Sequence, residues 1–470
     1  MPKADVAIIG AGFAGSEAAW QLSRCGLRVR LYEMRPVRAT EAHQSDHFAE
    51  PVCSNSFKSI NPENAHGLLK AEMALQGCLM LSIAHDHAVP AGQALAVDRA
   101  RFARAVTERV ESLPGVEIRR GEVSGLEDLL RNHRAVIVAS GPLTSPSLAG
   151  ELVKLSGEGH LYFHDAIAPV VFTDSIDRKV IYAASRYGKG EADYLNCPLS
   201  EAQYRNFIAE ILAAEKVAFH PFESLRAFEG CLPIEESAAR GEMTLAFGAM
   251  KPVGLPDPET GKIPFAVVQL RQENLQATLY GLVGFQTKMT WPEQRRVFRG
   301  LPGFEQARFA RLGSLHKNTF INAPALLDDD LALRSCDRLY FAGQLTGVEG
   351  YMESTAIGLY VARRVAARLT GREFPRPSGE TMIGGLLRYL RDTPPERFQP
   401  MNASFGLVDA PRQKMRRERR RAFQSARALE EISRLEAGFW GKTVEGAPAG
   451  AVLSGNPGHR PERWAPERNN

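Results

Sequence analysis

The feature that most constrains the fold is a glycine-rich turn at the start of the chain. The turn Gly10-Ala-Gly-Phe-Ala-Gly15 follows a short apolar run at residues 5–9, which is typical of a buried parallel strand. Residues 16–25 then have the small and apolar spacing of a packed helix, and a second strand-like run over residues 27–33 ends in Glu33. A strand, a glycine turn, a helix and a second strand ending in an acidic residue together predict a dinucleotide-binding βαβ unit.

Each glycine of the turn has a physical role in such a unit. Gly10 makes the tight turn, Gly12 lets backbone N–H groups approach a pyrophosphate, and Gly15 lets helix and strand pack closely. The helix N-terminus adds partial positive charge near the phosphates. We expect Glu33 to accept hydrogen bonds from the adenosine ribose. The predicted phosphate-binding residues are Gly10, Ala11, Gly12, Phe13, Ala14 and Gly15.

The same fold signal returns late in the chain. Residues 337–341 predict a strand, Ala342-Gly343-Gln344 a tight turn, and residues 354–369 a helix. The segment 339–347 resembles the late FAD motif of glutathione-reductase-type flavoproteins, although Gln344 stands where that family usually has Asp. No second G-x-G-x-x-G unit offers a separate nicotinamide domain. We therefore predict tightly bound FAD, contacted here by Gly343 and Gln344, with NADH or NADPH docking transiently.

The sequence between these two segments has a different pattern of apolar and turn-forming residues. Short strand-like runs alternate with turn-rich stretches, which indicates an inserted domain of mixed character. The predicted fold class is α/β, a glutathione-reductase-type FAD-binding Rossmann domain with an inserted smaller α/β domain. The FAD-binding domain comprises residues 1–165 and 301–440, and the insertion comprises residues 166–300. Residues 441–470, rich in Gly, Pro, Glu and Arg, predict a disordered tail.

Composition excludes several classes of protein. No apolar run approaches the roughly 18 residues that span a bilayer, and no secretory signal precedes the first strand. We therefore expect a cytoplasmic protein without a membrane partner. The six cysteines include no C-x-x-C pair, so neither a zinc site nor a disulfide framework is predicted.

Positive charge is concentrated near the C-terminal end. The net charge of +4 is modest, but residues 412–421 carry much of the excess, within a predicted basic helix over residues 412–437. A second basic run lies at residues 295–299. Either cluster is a solvated surface or a contact for an anionic partner.

Several separated motifs share one pattern. They are GAGFAGSEAA, EMRP (33–36), CSNS (53–56), FEGCLPIEE (228–236), KPVGL (251–255), LVGFQTKMT (282–290) and AGQLTGVEGYMES (342–354). Over roughly residues 1–440 they resemble the TrmFO family of folate- and FAD-dependent tRNA (uracil-5-)-methyltransferases. The resemblance implies that a one-carbon unit passes from methylenetetrahydrofolate through FAD to C5 of the T-loop uridine of tRNA. It also implies that NADH or NADPH supplies the electrons.

The resemblance implicates two cysteines, which by motif are Cys53 and Cys231. A thiolate added to uracil C6 generates an enolate whose C5 attacks an electrophilic methylene group. We favour Cys231 as this nucleophile and Cys53 as the thiol that protects or positions the flavin adduct. Glu235 and Glu236 are either the base for the C5 proton or the cap of the following helix.

Four further residues are candidate substrate contacts. Glu349 and Tyr351 follow the late FAD motif, where we expect them to face the flavin ring. Tyr351 then stacks on a pterin, with a glutamate binding its amino group, or it packs in the core. Arg416 and Arg417 are candidates for contacts with tRNA phosphates, because a loop uridine must be splayed out and held by its backbone.

Other functions remain open. Related enzymes modify wobble uridines at C5 with the same cofactors, but they carry a long C-terminal helical region and act with a GTPase. Neither that region nor an obligatory protein partner is expected here. Uridine in ribosomal RNA is another acceptor. A small-molecule flavin oxidoreductase needs neither the cysteine motifs nor the basic helix, and a tRNA chaperone would retain FAD without catalysis.

Overall fold

The computed structural model describes residues 4–157, 161–188, 191–217, 232–413 and 415–441. Cys231 and the predicted tail from residue 442 onward lie outside the described residues. The strands in chain order are β1 (Val6–Ile9), β2 (Val29–Glu33), β3 (Ser56–Ser59), β4 (Ala88–Val89), β5 (Ala94–Val97), β6 (Val116–Arg120), β7 (Ala135–Val138), β8 (Leu161–Ala166), β9 (Val170–Phe172), β10 (Tyr182–Ala183), β11 (Tyr194–Leu199), β12 (Ala266–Gln272), β13 (Leu279–Leu282), β14 (Phe309–Arg311), β15 (Leu315–Phe320), β16 (Ala332–Leu333) and β17 (Cys336–Phe341).

Helices cover both cores that these strands form. They are α1 (Phe13–Arg24), α2 (Ala65–Leu75), α3 (Leu79–Asp86), α4 (Arg99–Glu111), α5 (Glu127–Asn132), α6 (Pro146–Ser156), α7 (Glu201–Ala213), α8 (Ile234–Ala239), α9 (Thr244–Phe247), α10 (Trp291–Arg299), α11 (Ala323–Leu326), α12 (Tyr351–Thr370), α13 (Met382–Asp392) and α14 (Arg417–Gly441).

The first core is built on a six-stranded sheet in the order β16-β17-β7-β1-β2-β6. All its pairings are parallel except the one between β16 and β17. Because helices cover both faces, β1 is a continuous buried apolar run rather than an alternating one. The late strand β17 lies beside β7, so the two glycine turns belong to one sheet. The predicted FAD-type Rossmann fold is confirmed.

The second core is built on an antiparallel six-stranded sheet in the order β10-β11-β12-β13-β9-β14. Its strands lie between Val170 and Arg311, and β8 pairs with β15 where the chain passes between the two cores. The aromatic rings of Phe207, Phe285 and Phe298 pack beneath this sheet. The sheet is attached to the first core at the end of β12, where the candidate site lies.

The predicted basic helix begins later than expected. It starts at Arg417 rather than at residue 412, and it continues to Gly441. The side chains of Gln424 and Arg427 bind the main-chain oxygen of Asp409, at 3.2 and 2.6 Å. These bonds hold the preceding segment beside the second and third turns, so the chain must reverse direction before the helix can start.

In the part of the chain that the structure describes, no single helix is long and apolar enough to cross a membrane. Helices α2 and α3 reach the length and apolar composition of a membrane span only when taken together, and they are bent by 110° relative to each other.

Candidate functional site

The glycine turn after β1 borders a cavity at the carboxyl end of the parallel sheet. Gly10 has φ +99°, and a Cβ atom there would lie 2.5 Å from the oxygen of Ala139. A Cβ atom on Gly15 would lie 1.8 Å from the oxygen of Gly10, so only glycine allows α1 to start this close to the turn. A Cβ atom on Gly12 would meet no protein atom within 4 Å, so the turn is open towards the cavity at this residue.

Glu33 lies at the end of β2 and borders the same cavity. Its carboxylate accepts hydrogen bonds from the amide of Ala11 at 3.1 Å and from Nε of Arg35 at 2.9 Å. Burial opposes ionisation, but the hydrogen bond and charge of Arg35 outweigh it and lower the pKa of Glu33. The carboxylate is therefore a fixed, ionised acceptor beside the glycine turn.

The late turn closes the other side of this cavity. Gly343 has φ +76°, and a Cβ atom there would lie 2.8 Å from Cβ of Ala14. A 3-10 helix, Gly343–Thr346, replaces the predicted simple turn. Nε2 of Gln344 donates to Oε2 of Glu349 at 2.6 Å. The cavity between the two turns encloses about 1030 Å³, part of it open to solvent.

Tyr351, the first residue of α12, connects this cavity to a second one. Its ring stacks on Phe13 with 4.6 Å between centroids, and Phe57 meets the ring edge-on at 5.7 Å. Tyr351 and Gln344 line both cavities. The ring therefore packs against buried aromatic residues, as the second alternative predicts, and it also borders both open spaces; stacking on a pterin stays a prediction.

The second cavity contains Cys53 together with several charged side chains. Those charged residues are Lys58, Asp165, Arg271, Glu349 and Glu353. The hydroxyl of Tyr351 accepts from the amide of Cys53 at 2.8 Å and lies 3.2 Å from its Sγ atom. Burial and the carboxylate of Asp165 raise the pKa of Cys53 to about 11. At neutral pH the thiol is therefore protonated.

Two arginines hold the segment of residues 51–55, here called the Cys53 segment, by its main chain. Arg99, the first residue of α4, donates to the oxygen of Pro51 and, at 3.5 Å, to that of Cys53. Arg311, at the end of β14, donates to the oxygen of Val52 at 2.7 Å and to that of Cys53 at 3.4 Å. Three consecutive carbonyl groups are thus fixed by cations from the two cores.

The side chains of the Cys53 segment are held from the end of β12. Arg271 donates to Oδ1 of Asn55 and to Oγ of Ser54, both at 2.8 Å. Glu273 accepts from Nε of Arg99 at 2.6 Å. These residues are not among the predicted site residues, and the one local signal in the sequence is the i, i+2 spacing of Arg271 and Glu273 at the end of a strand-like run.

Two glutamates in the second cavity have pKa values that are shifted in opposite directions. Burial and the charge of Asp165 raise the pKa of Glu349 well above its ordinary value. Burial also opposes ionisation of Glu353, but hydrogen bonds from His66 at 3.1 Å and from the amide of Ala403 at 3.0 Å stabilise its charge. Together with Lys58 these groups lower the pKa of Glu353 to about 2. The two carboxyl groups of this cavity therefore differ in how readily they ionise.

The segment after the predicted nucleophile is attached to the rim of this cavity. Cys231 itself lies outside the described residues, but the amide of Ile234 donates to the oxygen of Gln286 at 2.7 Å. Gln286 lines the second cavity. Glu235 is buried at the start of α8, where it accepts from Thr287, and Glu236 forms an ion pair with Lys288. Burial raises the pKa of Glu235.

The two basic clusters differ. Arg416 is exposed just before α14, and that helix is attached to the chain shortly after β3, because Ser425 donates to the oxygen of Pro62 at 2.7 Å. The charge of Arg296, in the run 295–299, is neutralised by Glu293 and Glu210. In the same run, Arg295 and Arg299 instead donate to main-chain oxygens, so only part of the charge of the run is neutralised. Across the described ranges, no group of three or more His, Cys, Asp or Glu residues is arranged to hold a metal ion.

The sequence of this chain is similar to those of known proteins. The family model of glucose inhibited division protein A matches residues 5–373. The chain is 52% identical over 426 residues to the methylenetetrahydrofolate–tRNA-(uracil-5-)-methyltransferase TrmFO of Syntrophotalea carbinolica, covering 90% of this chain and 92% of that protein. It is 51% identical over 428 residues to TrmFO of Geobacter sulfurreducens, covering 91% and 98%.

Solved structures agree on the fold. A crystal structure of GidA from Aquifex aeolicus superposes with a TM-score of 0.66 at 17% sequence identity, covering 92% of this chain and 74% of that one. At that identity the likeness establishes the architecture alone.

Proposed function

The chain belongs to the glucose inhibited division protein A family and, within it, to the TrmFO group, and from this premise we propose a specific reaction. The protein methylates C5 of the T-loop uridine of tRNA, with methylenetetrahydrofolate as the carbon donor. The observation that carries this proposal is the position of Tyr351. Its ring borders the dinucleotide cavity, and its hydroxyl contacts the amide and the thiol of Cys53.

The first cavity fits FAD. The turn from Gly10 to Gly15 would hold the pyrophosphate, because Gly12 leaves its amide groups accessible and Gly15 brings the start of α1 close. Glu33 would accept from the adenosine ribose, and Gly343 and Gln344 would face the ribityl side. When bound, FAD supplies the carrier for the one-carbon unit and the electrons that complete the methyl group. We propose that NADPH or NADH provides those electrons by docking transiently.

In this proposal Cys53 and Cys231 have different roles in the reaction of the pyrimidine. A thiol with a pKa near 11 is a poor standing nucleophile, so the state of Cys53 favours a protecting or positioning role. Cys231 is then the group that adds to C6 of the uracil. Its neighbour Ile234 is tied to Gln286 at the rim of the second cavity, which is where a nucleophile must reach the base.

Glu349 and Tyr351 are the proposed contacts for folate or base. Burial raises the pKa of Glu349, which favours its protonated form, and in that form Glu349 can donate a hydrogen bond to a carbonyl or ring nitrogen of the bound substrate. Tyr351 presents the exposed part of its ring to the same space. The catalytic carboxylate that accepts the C5 proton is, in this proposal, Glu235 or Glu236.

Arg416 and Arg417, at the start of α14, contact phosphates of the tRNA in this proposal. They precede the turn of helix that Ser425 ties to Pro62, close to β3 and the second cavity. Binding through them weakens with salt, because phosphate contacts release counterions. Replacing both by Gln should lower the slope of log K against log salt by about 2. An unchanged slope would exclude them.

The test is a reconstituted assay with this chain as its only protein, which also tests whether a protein partner is needed. Unmodified tRNA, methylenetetrahydrofolate and NADPH are supplied, and ribothymidine is mapped in the RNA. We expect methylation of the T-loop uridine in this assay, and we propose that the same reaction takes place in the cytoplasm. Modification at the wobble position or only in ribosomal RNA would replace the proposal, and flavin reduction without any methylation would refute it.

Cysteine variants separate the roles within that assay. Cys231→Ala should retain FAD and lose methylation, and Cys53→Ala should do the same while leaving Cys231 reactive. Cys336→Ala, at the start of β17, is the matched control and should methylate normally. Full turnover by Cys231→Ala would overturn its assignment as the nucleophile.

A further inference from the structure

Two motifs of the sequence, KPVGL (251–255) and LVGFQTKMT (282–290), lie close to each other in the second core. Gly284 has φ +77°, and a Cβ atom there would lie 3.0 Å from Cβ of Ala249. The amide of Val267 donates to the oxygen of Met250 at 2.9 Å, which attaches the start of the first motif to β12. Residues 247–254, here called the edge segment, therefore form one border of the second core.

Phe247 ends the short helix α9 with its ring in solvent. Its side chain is 77% exposed, the largest value among the large hydrophobic residues that the structure describes. The preceding residues Leu245 and Ala246 are buried in the second core. The helix is thus anchored on one side, and it presents an aromatic ring on the other.

Tyr187 adds a second exposed ring to the edge segment. It is 62% exposed and adopts φ +62°, a conformation that is unfavourable for a residue with a Cβ atom. Its amide donates to the oxygen of Gly254 at 2.7 Å. A Cβ atom on Gly254 would lie 2.8 Å from the tyrosine ring, so the glycine of KPVGL packs directly against Tyr187.

The charge around these rings is positive. Arg186 donates to the oxygens of Lys251 and Val253, at 3.0 and 2.5 Å, and to Oε1 of Gln269 at 2.8 Å. These partners are all neutral. The side chain of Lys251 is exposed. Over the described ranges neither cation pairs with a carboxylate, so both charges remain available to an anion.

The edge segment is close to the cavity that holds Cys53. Gly284, which touches Ala249, lies two residues before Gln286, and Gln286 lines that cavity. Chain geometry then limits the separation between the Cα atoms of Phe247 and Gln286 to about 20 Å. That distance is within the length of a few nucleotides of a strand that leaves the cavity.

We propose that Tyr187, Phe247 and Lys251 form a docking surface for the unpaired nucleotides that flank the target uridine of the tRNA. The proposal rests on the function proposed above. Aromatic rings bind unstacked bases of any sequence, and neighbouring cations bind the phosphates that connect them. The partner is RNA rather than an apolar protein segment, because the two rings are accompanied by uncompensated positive charge.

The test measures tRNA affinity, together with KM and kcat for methylation, for variants at position 247. Base stacking on a ring contributes about 1–3 kcal/mol, so Phe247→Ala should weaken binding about 5- to 150-fold. Phe247→Tyr should bind like the unchanged protein, whereas Phe247→Leu, which keeps the apolar surface without the ring, should bind like Phe247→Ala. Lys251→Gln should lower the salt slope by about 1. FAD content should not change in any variant.

Leu212→Ala, at a half-exposed position on α7 of the same core, is the control and should bind normally. Normal affinity of Phe247→Ala in a protein that methylates tRNA would overturn the surface and leave the function standing. Full binding by Phe247→Leu would also overturn it, since an apolar contact would then suffice. Weakened tRNA binding in a protein that does not methylate would support the surface while the proposed reaction fails.

Discussion

The Cys53 segment and the edge segment carry the groups that the proposed chemistry and RNA binding need, and they are held in opposite ways. Residues 51–55 are fixed by guanidinium groups from both cores and by the hydroxyl of Tyr351. Residues 247–254 are held mainly by contacts to their main-chain atoms, at the border of one core. The first segment is partly or fully buried along its length, whereas the second presents Phe247, Lys251 and Val253 to solvent.

The difference follows from the cost of burying charge. Arginines that position a buried thiol lose their hydration, so a carboxylate must accompany them. Glu273 has this role, because the charges of Arg99 and Arg271 outweigh its burial and lower its pKa. At the edge segment, water hydrates Lys251 without any such partner. The arginines that position the Cys53 segment therefore need a carboxylate partner, whereas a cation that binds an anionic ligand is left without one.

The largest expected effect comes from breaking that compensation. Glu273→Gln removes the ionised partner of buried Arg99 and should lower the free energy of unfolding by about 3–5 kcal/mol. It should also abolish methylation, because the carbonyls of the Cys53 segment lose a fixed donor. Urea unfolding and the assay measure the two effects.

Glu242→Gln is the matched control for this variant. Its carboxylate pairs with Arg205 on the surface, with about half of each side chain exposed, so its loss should cost less than about 1 kcal/mol. If both variants lose equal stability, the Cys53 segment does not depend on compensated charge in the way we describe.

The same contrast explains which parts were predictable from sequence. The cradle from Gly10 to Gly15 was identified because its geometry is set by contiguous residues, and the strands flanking it are continuous apolar runs. Arg99, Arg271 and Arg311 were missed because they converge from separate stretches, and a surface arginine has the same local sequence. The start of α14 was placed too early because bonds from later turns of the helix, not propensity, fix the chain before Arg417.

A second prediction concerns the thiol in the enclosed segment. A rise in the pKa of Cys53 from 9.0 to about 11 lowers its thiolate fraction at pH 8 about 100-fold. Its alkylation rate in the FAD-free protein should keep rising about tenfold per pH unit beyond pH 9, where an ordinary thiol begins to level off. Peptide mass spectrometry of iodoacetamide labelling measures this.

The variant Tyr351→Phe tests whether the hydroxyl of Tyr351 contributes to the alkylation rate of Cys53. The hydroxyl of Tyr351 favours the thiolate of Cys53, so its removal should slow alkylation further at every pH below the new pKa. A rate that levels off near pH 9, or faster labelling of the variant, would show that the segment does not enclose its thiol as the structure indicates.

The smallest effect is expected at the edge segment. Gly254→Ala places a methyl group 2.8 Å from the ring of Tyr187 at φ +80°, yet the ring borders solvent and can move away. We expect the free energy of unfolding to fall by about 1–2 kcal/mol, mostly the cost of a left-handed backbone. Gly261→Ala, at φ +67° with no atom within 4 Å, isolates that backbone cost in the same urea experiment. A loss for Gly254→Ala as large as that for Glu273→Gln would mean that the border is as tightly coupled to the core as the Cys53 segment, because only a ring unable to move would transmit the full clash.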